Sequence, residues 1–253
     1  MKIFMSVLLA LLLASAARAG DLPLLYVYGP GGPAPAMKEA AEAFGPTHGV
    51  SVVATAGPTT KWVDKARNDA DVIYSGAEDM MSAFAHSLPG AFDLRDAEPL
   101  YLRPAAILVR PGNRKAIHGF RDLLKPGVRV LSVAGAGQIG LWEDVAGRAG
   151  DIEIVRAFRR NMVFPEAANS AAAREQWTQQ KDIDAWLIWN VWQVASPSLA
   201  DLIPIEEPFR IFRDTAIVMT HKGEAAPQAR AFVDFLKSDQ GRAIFAKWGW
   251  QAR

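Results

Sequence analysis

Between Leu24 and Ala85 the chain alternates apolar runs with segments of helical period three times, and each alternation passes through a loop of Gly, Pro, Ser or Thr. Strands joined through helices must run parallel, because the crossover returns the chain to the same end of the sheet. Leu24 to Tyr28, Val50 to Thr55 and Ala70 to Tyr74 predict strands; Pro35 to Phe44, Trp62 to Arg67 and Glu78 to Ala85 predict the helices that follow. The three loops then share one rim, at the carboxyl ends of the strands, where open α/β sheets bind ligands.

The pattern restarts after Leu100. Strands are expected over Ala105 to Val109, Val128 to Val133, Asp184 to Ile188, Leu202 to Ile205 and Thr215 to Thr220. A short helix is expected over Phe120 to Leu124 and a longer one from the glycine turn at Gly135 to about Gly147, with others over Ile152 to Asn161, Ser170 to Gln179, Pro227 to Lys237 and Asp239 to Trp248. The fold class is therefore α/β. No long linker divides the two halves, so two lobes are expected, 20–103 with 214–253 and 104–213, with a cleft between them.

The amino terminus sets the compartment. Lys2, the apolar run Ile3 to Leu13 and the cleavage motif Ala17-Arg18-Ala19 read as a signal peptide over 1–19, the run being too short for a membrane span. Lys2 and Arg18 leave with it and no acid does, so the formal charge of +1 becomes −1, 26 basic residues against 27 acidic. That balance opposes nucleic-acid binding. The chain has no cysteine and four unclustered histidines, which excludes thiolate sites and argues against a metal centre. A soluble periplasmic protein, expected as a monomer, follows from these features.

Each rim loop offers candidate ligand groups beside a plainer role. Tyr28-Gly29-Pro30-Gly31-Gly32-Pro33 ends a strand before a helix; Gly31 and Gly32 let backbone amides approach an anion near the helix dipole. Thr59 and Thr60 either cap the next helix or present hydroxyls to a ligand, and Trp62 either covers a ligand or packs its own helix. Ser75 and Gly76 hold the equivalent place on the third strand, where Ser75 with Glu78 also fits a capping box. Gly135 to Gly140 matches G-x-G-x-x-G, with Asp151 or Glu153 near the distance of a ribose acid, but it lies deep in an exported chain. No cofactor is expected, and Gly137 and Gln138 are kept as anion donors. Asn190 follows an apolar strand rich in tryptophan, whose rings at that spacing read as core. Arg103 and Asp214 fall at the two crossings: Arg103 either clamps a carboxylate or pairs with Asp96 or Glu98, and Asp214 either holds a ligand ammonium or bridges the lobes. No catalytic motif is present, although a carboxylate-based hydrolase needs none visible by eye.

The segments YGPGGPAPAMKEAAEAF, TAGPT, DVIYSGAEDMM, PLYLRPAAILVRPGN, GAGQIGLWED, DIDAWLIWNVWQVA and FRDTAIVMT resemble those of the accessory colonization factor C-like periplasmic solute-binding proteins, a group similar to the molybdate- and sulfate-binding branch. The resemblance covers nearly all of the mature chain. It implies a type II periplasmic-binding-protein (Venus flytrap) fold closing on a small anionic solute, a sulfate-like oxyanion, an acidic amino acid or a dicarboxylate. An ABC transporter membrane complex or a chemoreceptor is the implied reader of closure. The first loop departs from the molybdate and sulfate pattern in having Gly and Pro where serine is usual, which tilts the expectation toward a carboxylate. An exported hydrolase and an adhesin are the rival classes.

Overall fold

The computed structural model describes residues 22–135 and 137–251; the signal peptide expected over 1–19 lies outside them. In chain order the strands and helices are β1 (Leu24–Gly29), α1 (Ala34–His48), β2 (Ser51–Ala56), α2 (Val63–Asp69), β3 (Val72–Tyr74), α3 (Glu78–Ser87), β4 (Glu98–Val109), β5 (Val130–Leu131), α4 (Leu141–Ala146), α5 (Ile152–Asn161), α6 (Ser170–Gln179), β6 (Ala185–Trp189), α7 (Val191–Val194), β7 (Asp201–Pro204), β8 (Phe212–Met219), α8 (His221–Glu224), α9 (Pro227–Lys237) and α10 (Asp239–Lys247). The fold is mixed α/β.

β1 runs parallel to β2 and to β3, as the alternating first third requires, and β8 closes this group antiparallel to β3. β4 then passes between two groups of strands. Its residues Glu98 to Pro104 pair with β8, whereas Ala105 to Val109 pair with β6 on one side and Ala106 to Val109 with β7 on the other, and β5 lies parallel to β6. Sequence reading placed only the second half of β4, because Pro99 and Pro104 each remove a ladder donor. The strand tolerates them with a register shift between Pro99 and Tyr101 and a change of partner at Pro104.

Two further expectations are corrected. The Gly135 segment does not open a helix: Gly137 and Gly140 have φ of 77° and 70°, left-handed values that turn the chain, and α4 starts only at Leu141. The strand expected over Val128 to Val133 contracts to β5, with Val133 adding one isolated bridge to Ala167.

The core forms where apolar faces meet. Phe44 of α1 packs on Phe232 and Phe235 of α9 at 5.2 and 5.5 Å between ring centres, so the carboxyl-terminal helices lie beside the first. A separate apolar cluster under α2 and α3 gathers Tyr28, Trp62, Ile73, Met81, Phe84 and Val218. In the main core cluster Phe120 stacks on Phe158 of α5 at 5.1 Å and meets Phe209 at a tilt at 4.7 Å.

Candidate anion-binding cleft

A cleft of about 470 Å³ opens where the rim loops of β1, β2 and β3 face Gln138, the amino terminus of α6 and the end of β6. That volume suits a small molecule. Gly31, Gly32, Thr59, Thr60, Gly76, Arg103 and Gln138, all predicted from sequence, line it together.

Arg103 dominates the electrostatics. Strand alternation sends it to the same face of β4 as Tyr101, and its guanidinium lies between the indoles of Trp189 and Trp250, 4.8 and 5.0 Å from their ring centres. One Nη donates to the carbonyl of Gly76, and the residue is 3% exposed. Neither Asp96 nor Glu98 pairs with it; Glu98 is bound to Lys237 at 2.9 Å. Among the described residues no carboxylate forms a salt bridge with Arg103, and its Nε is buried without a partner. Burial pushes the guanidinium pKa down, against the attraction of Asp214. A guanidinium stays protonated at neutral pH despite such a shift, so the floor of the cleft carries a positive charge with no carboxylate in direct contact.

Glycines make room for that charge. A Cβ on Gly32 would stand 2.7 Å from Nη1 of Arg103, and one on Gly76 would stand 3.2 Å from Nη2. The backbone of Gly32 is not left-handed, so Gly32→Ala tests this packing without backbone strain. We expect at least a tenfold loss of anion affinity, read by calorimetric titration, with the unliganded melting temperature within about 4 °C of wild type, a stability change of about 1 kcal/mol.

The second loop holds its hydroxyls free. Thr59 begins a turn of 3-10 helix whose amino end has no side-chain cap, so neither threonine is spent on capping. Across the cleft, Gln138 is 2% exposed; its amide nitrogen donates to the Ser170 hydroxyl at 2.7 Å and its Oε1 is buried without a partner. Asn169 caps α6 by accepting from the amide of Ala172 at 3.0 Å, leaving Ser170 and Ala171 to face the cleft.

Five predicted residues sit elsewhere. Trp62 is 2% exposed, lies against Tyr28 and Phe84 at 5.8 and 5.2 Å, and donates its indole N–H to the carbonyl of Gly57 at 3.1 Å. Ser75 belongs to the sheet: its hydroxyl accepts from the Ala216 amide at 3.3 Å, and α3 starts from Ala77 with no capping box. Asn190 turns toward the carboxyl-terminal segment, donating to the carbonyl of Gly249 at 2.7 Å. Asp214 pairs in register with Leu102, next to Arg103, and so projects from the opposite face of the ribbon. One of its carboxylate oxygens is buried without a partner, and the nearby Glu78 carboxyl is raised above the ordinary range by burial first and by the charge of Asp214 second. Gly137 stands just behind the lining: its carbonyl accepts from Trp189 and Arg213, and a Cβ on it would strike Met80 at 2.7 Å.

Met80, Asn169, Ser170 and Ala171 line the cleft without having been singled out, and Trp189 and Trp192, expected from sequence as core, line it as well. Asn-Ser ahead of three alanines is itself a helix-start signal and could have identified the α6 end. Trp189 is core on one face and a platform for Arg103 on the other, which an apolar pattern does not reveal.

A family model described as bacterial extracellular solute-binding protein matches residues 25–251. Among solved structures, Peb3 from Campylobacter jejuni is 32% identical, with 90% of this chain and 100% of that chain covered and a TM-score of 0.84; PEB3 bound to L-phospholactate gives the same identity and coverage and a TM-score of 0.85. The sulfate-binding protein SubI from Mycobacterium tuberculosis shares the fold at 18% identity, with 90% and 86% of the two chains covered and a TM-score of 0.74. Among curated protein sequences none matches the chain.

Proposed function

The chain belongs to the bacterial extracellular solute-binding protein family, and on that premise we propose that it captures a small anionic solute in the cleft around Arg103. The observation that carries this reading is the guanidinium itself, buried among indoles and glycines with no carboxylate paired to it. A buried charge left without a partner is costly, and an anion brought into the cleft supplies that partner. The amides of Gly31 and Gly32, the hydroxyls of Thr59 and Thr60 and the side chains of Gln138 and Ser170 are the neutral donors around it.

The reading favours a ligand with a carboxylate over a bare tetrahedral oxyanion, because Arg103 offers a planar fork that matches carboxylate geometry and few hydroxyls line the cleft. The relative crystallised with L-phospholactate, which carries a carboxylate and a phosphate, is consistent with it. The lobes in this proposal are 20–103 with 214–253 and 104–213, and the change of partner of β4 at Pro104 supports a boundary there. Closure of the lobes in the periplasm, read by an ABC transporter membrane complex or a chemoreceptor, completes the reading.

Thermal unfolding of the mature protein with phospholactate, succinate, citrate, aspartate, sulfate and molybdate tests it. A ligand at about 100 times its dissociation constant adds about 2.7 kcal/mol, a rise of about 5–11 °C for a chain of this size. No rise with any anion would overturn the proposal.

A further inference from the structure

Small carboxylates come with an ammonium group, as acidic amino acids do, or without one, and the lining of the cleft discriminates between them. Arg103 is its one cation, and no Asp or Glu is among the described residues that line it. Asp214, the carboxylate nearest in sequence to the crossing, pairs in register with Leu102 and so projects from the other face of the ribbon. An ammonium group carried into this site would lose its water and find no carboxylate to replace it. The Trp189 ring, which would otherwise attract a cation, already lies against Arg103. Trp192 is the indole left over, and a single cation–π contact is weak beside the cost of desolvating an ammonium.

The helices at the cleft add to its positive character. α1, entered through Gly31, Gly32 and Pro33, and α6, entered through Asn169, Ser170 and Ala171, both end on the lining, and neither carries an acid in its first turn. Of the other helices of eight residues or more, α3, α5 and α10 each do, and α9 does not. An uncompensated helix amino terminus is equivalent to roughly half a positive charge. Beside α6 the Gln138 amide nitrogen donates to the Ser170 hydroxyl at 2.7 Å, which leaves the hydroxyl's own hydrogen for a ligand oxygen at the second end of the cleft. One full charge and two half charges, placed on opposite sides, match two anionic groups on one small molecule.

Resting on the reading of this cleft as the solute site, we infer that it selects dianions without an ammonium group, dicarboxylates and phosphocarboxylates, and rejects acidic amino acids. Malate and aspartate share a carbon skeleton and differ in a hydroxyl against an ammonium, so calorimetric titration of the mature protein with both isolates the feature. Malate is expected to bind at least about 30-fold more tightly. Ala171→Asp, which places a carboxylate in the lining at a position where α6 tolerates it, is expected to weaken malate at least tenfold and leave aspartate unweakened. Aspartate binding as tightly as malate, or more tightly, would overturn the inference, as would a wild-type ratio that Ala171→Asp leaves unchanged. Binding of sulfate alone would overturn the dianion class while leaving an anion site at Arg103. Binding of none of malate, succinate, phospholactate, aspartate or sulfate would remove the solute reading itself.

Discussion

Arg103→Met abolishes ligand-induced stabilisation, lowering anion affinity by at least a hundredfold, while the unliganded protein melts at or above the wild-type temperature. The two halves of this expectation have one cause. The guanidinium is 3% exposed, donates to the Gly76 carbonyl and forms a salt bridge with no carboxylate among the described residues. Methionine keeps an unbranched apolar side chain between Trp189 and Trp250 and removes the desolvated charge, an exchange that is neutral or stabilising at many buried sites. With an anion bound, the balance reverses. Hydrogen bonds to charged groups are each worth about 1.5–3 kcal/mol, so losing two donors costs about 3–6 kcal/mol, or more than two powers of ten in affinity. Differential scanning fluorimetry with and without phospholactate or succinate reads both halves. A methionine variant that keeps the ligand-dependent rise would remove Arg103 from the site, and one that merely melts lower would make it a structural residue.

What the sequence disclosed about the cleft follows from the range of the interactions involved. Gly31, Gly32, Thr59, Thr60 and Gly76 lie in loops whose position at the strand ends follows from local alternation alone, and they line the cleft together. Arg103 was legible as a cation at a crossing but not as an unpaired one, since pairing depends on which distant chains come near. Glu98, five residues away, turns instead to Lys237, 139 positions along the chain. Asn190 and Asp214 were placed by sequence proximity to strands and crossings, and strand alternation and a long-range contact with Gly249 turned them elsewhere. The amino-terminal half of β4 was hidden by its prolines for a related reason. Its ladder depends on β8, and the pairing of Leu102 with Asp214 spans more than a hundred residues. The Gly135 turn failed in the opposite direction, because a nucleotide-like spacing of glycines was read as a helix start when two of them adopt left-handed φ.

Trp62→Ala separates a residue beside the cleft from a residue of the cleft. The indole fills the apolar cluster under α2 and α3, against Tyr28 and Phe84, and its removal leaves a large cavity and an unmatched Gly57 carbonyl. Replacing a buried tryptophan by alanine costs about 3–5 kcal/mol, which at about 2–4 °C per kcal/mol lowers the melting temperature by roughly 6–20 °C. Affinity measured well below that transition should change less than fivefold, because the ring itself does not line the cleft. Trp62→Phe refines the test: it retains most of the packing and deletes only the N–H that holds the Gly57 carbonyl, for a loss of about 1 kcal/mol. A ligand-covering tryptophan would behave in the reverse manner, with phenylalanine preserving stability and affinity falling more than tenfold in either variant. The contrast with Arg103 then follows from burial and partners: the tryptophan N–H has its acceptor within the fold, whereas the guanidinium has a carbonyl partner and no carboxylate, and on the proposed reading an anion supplies the missing charge.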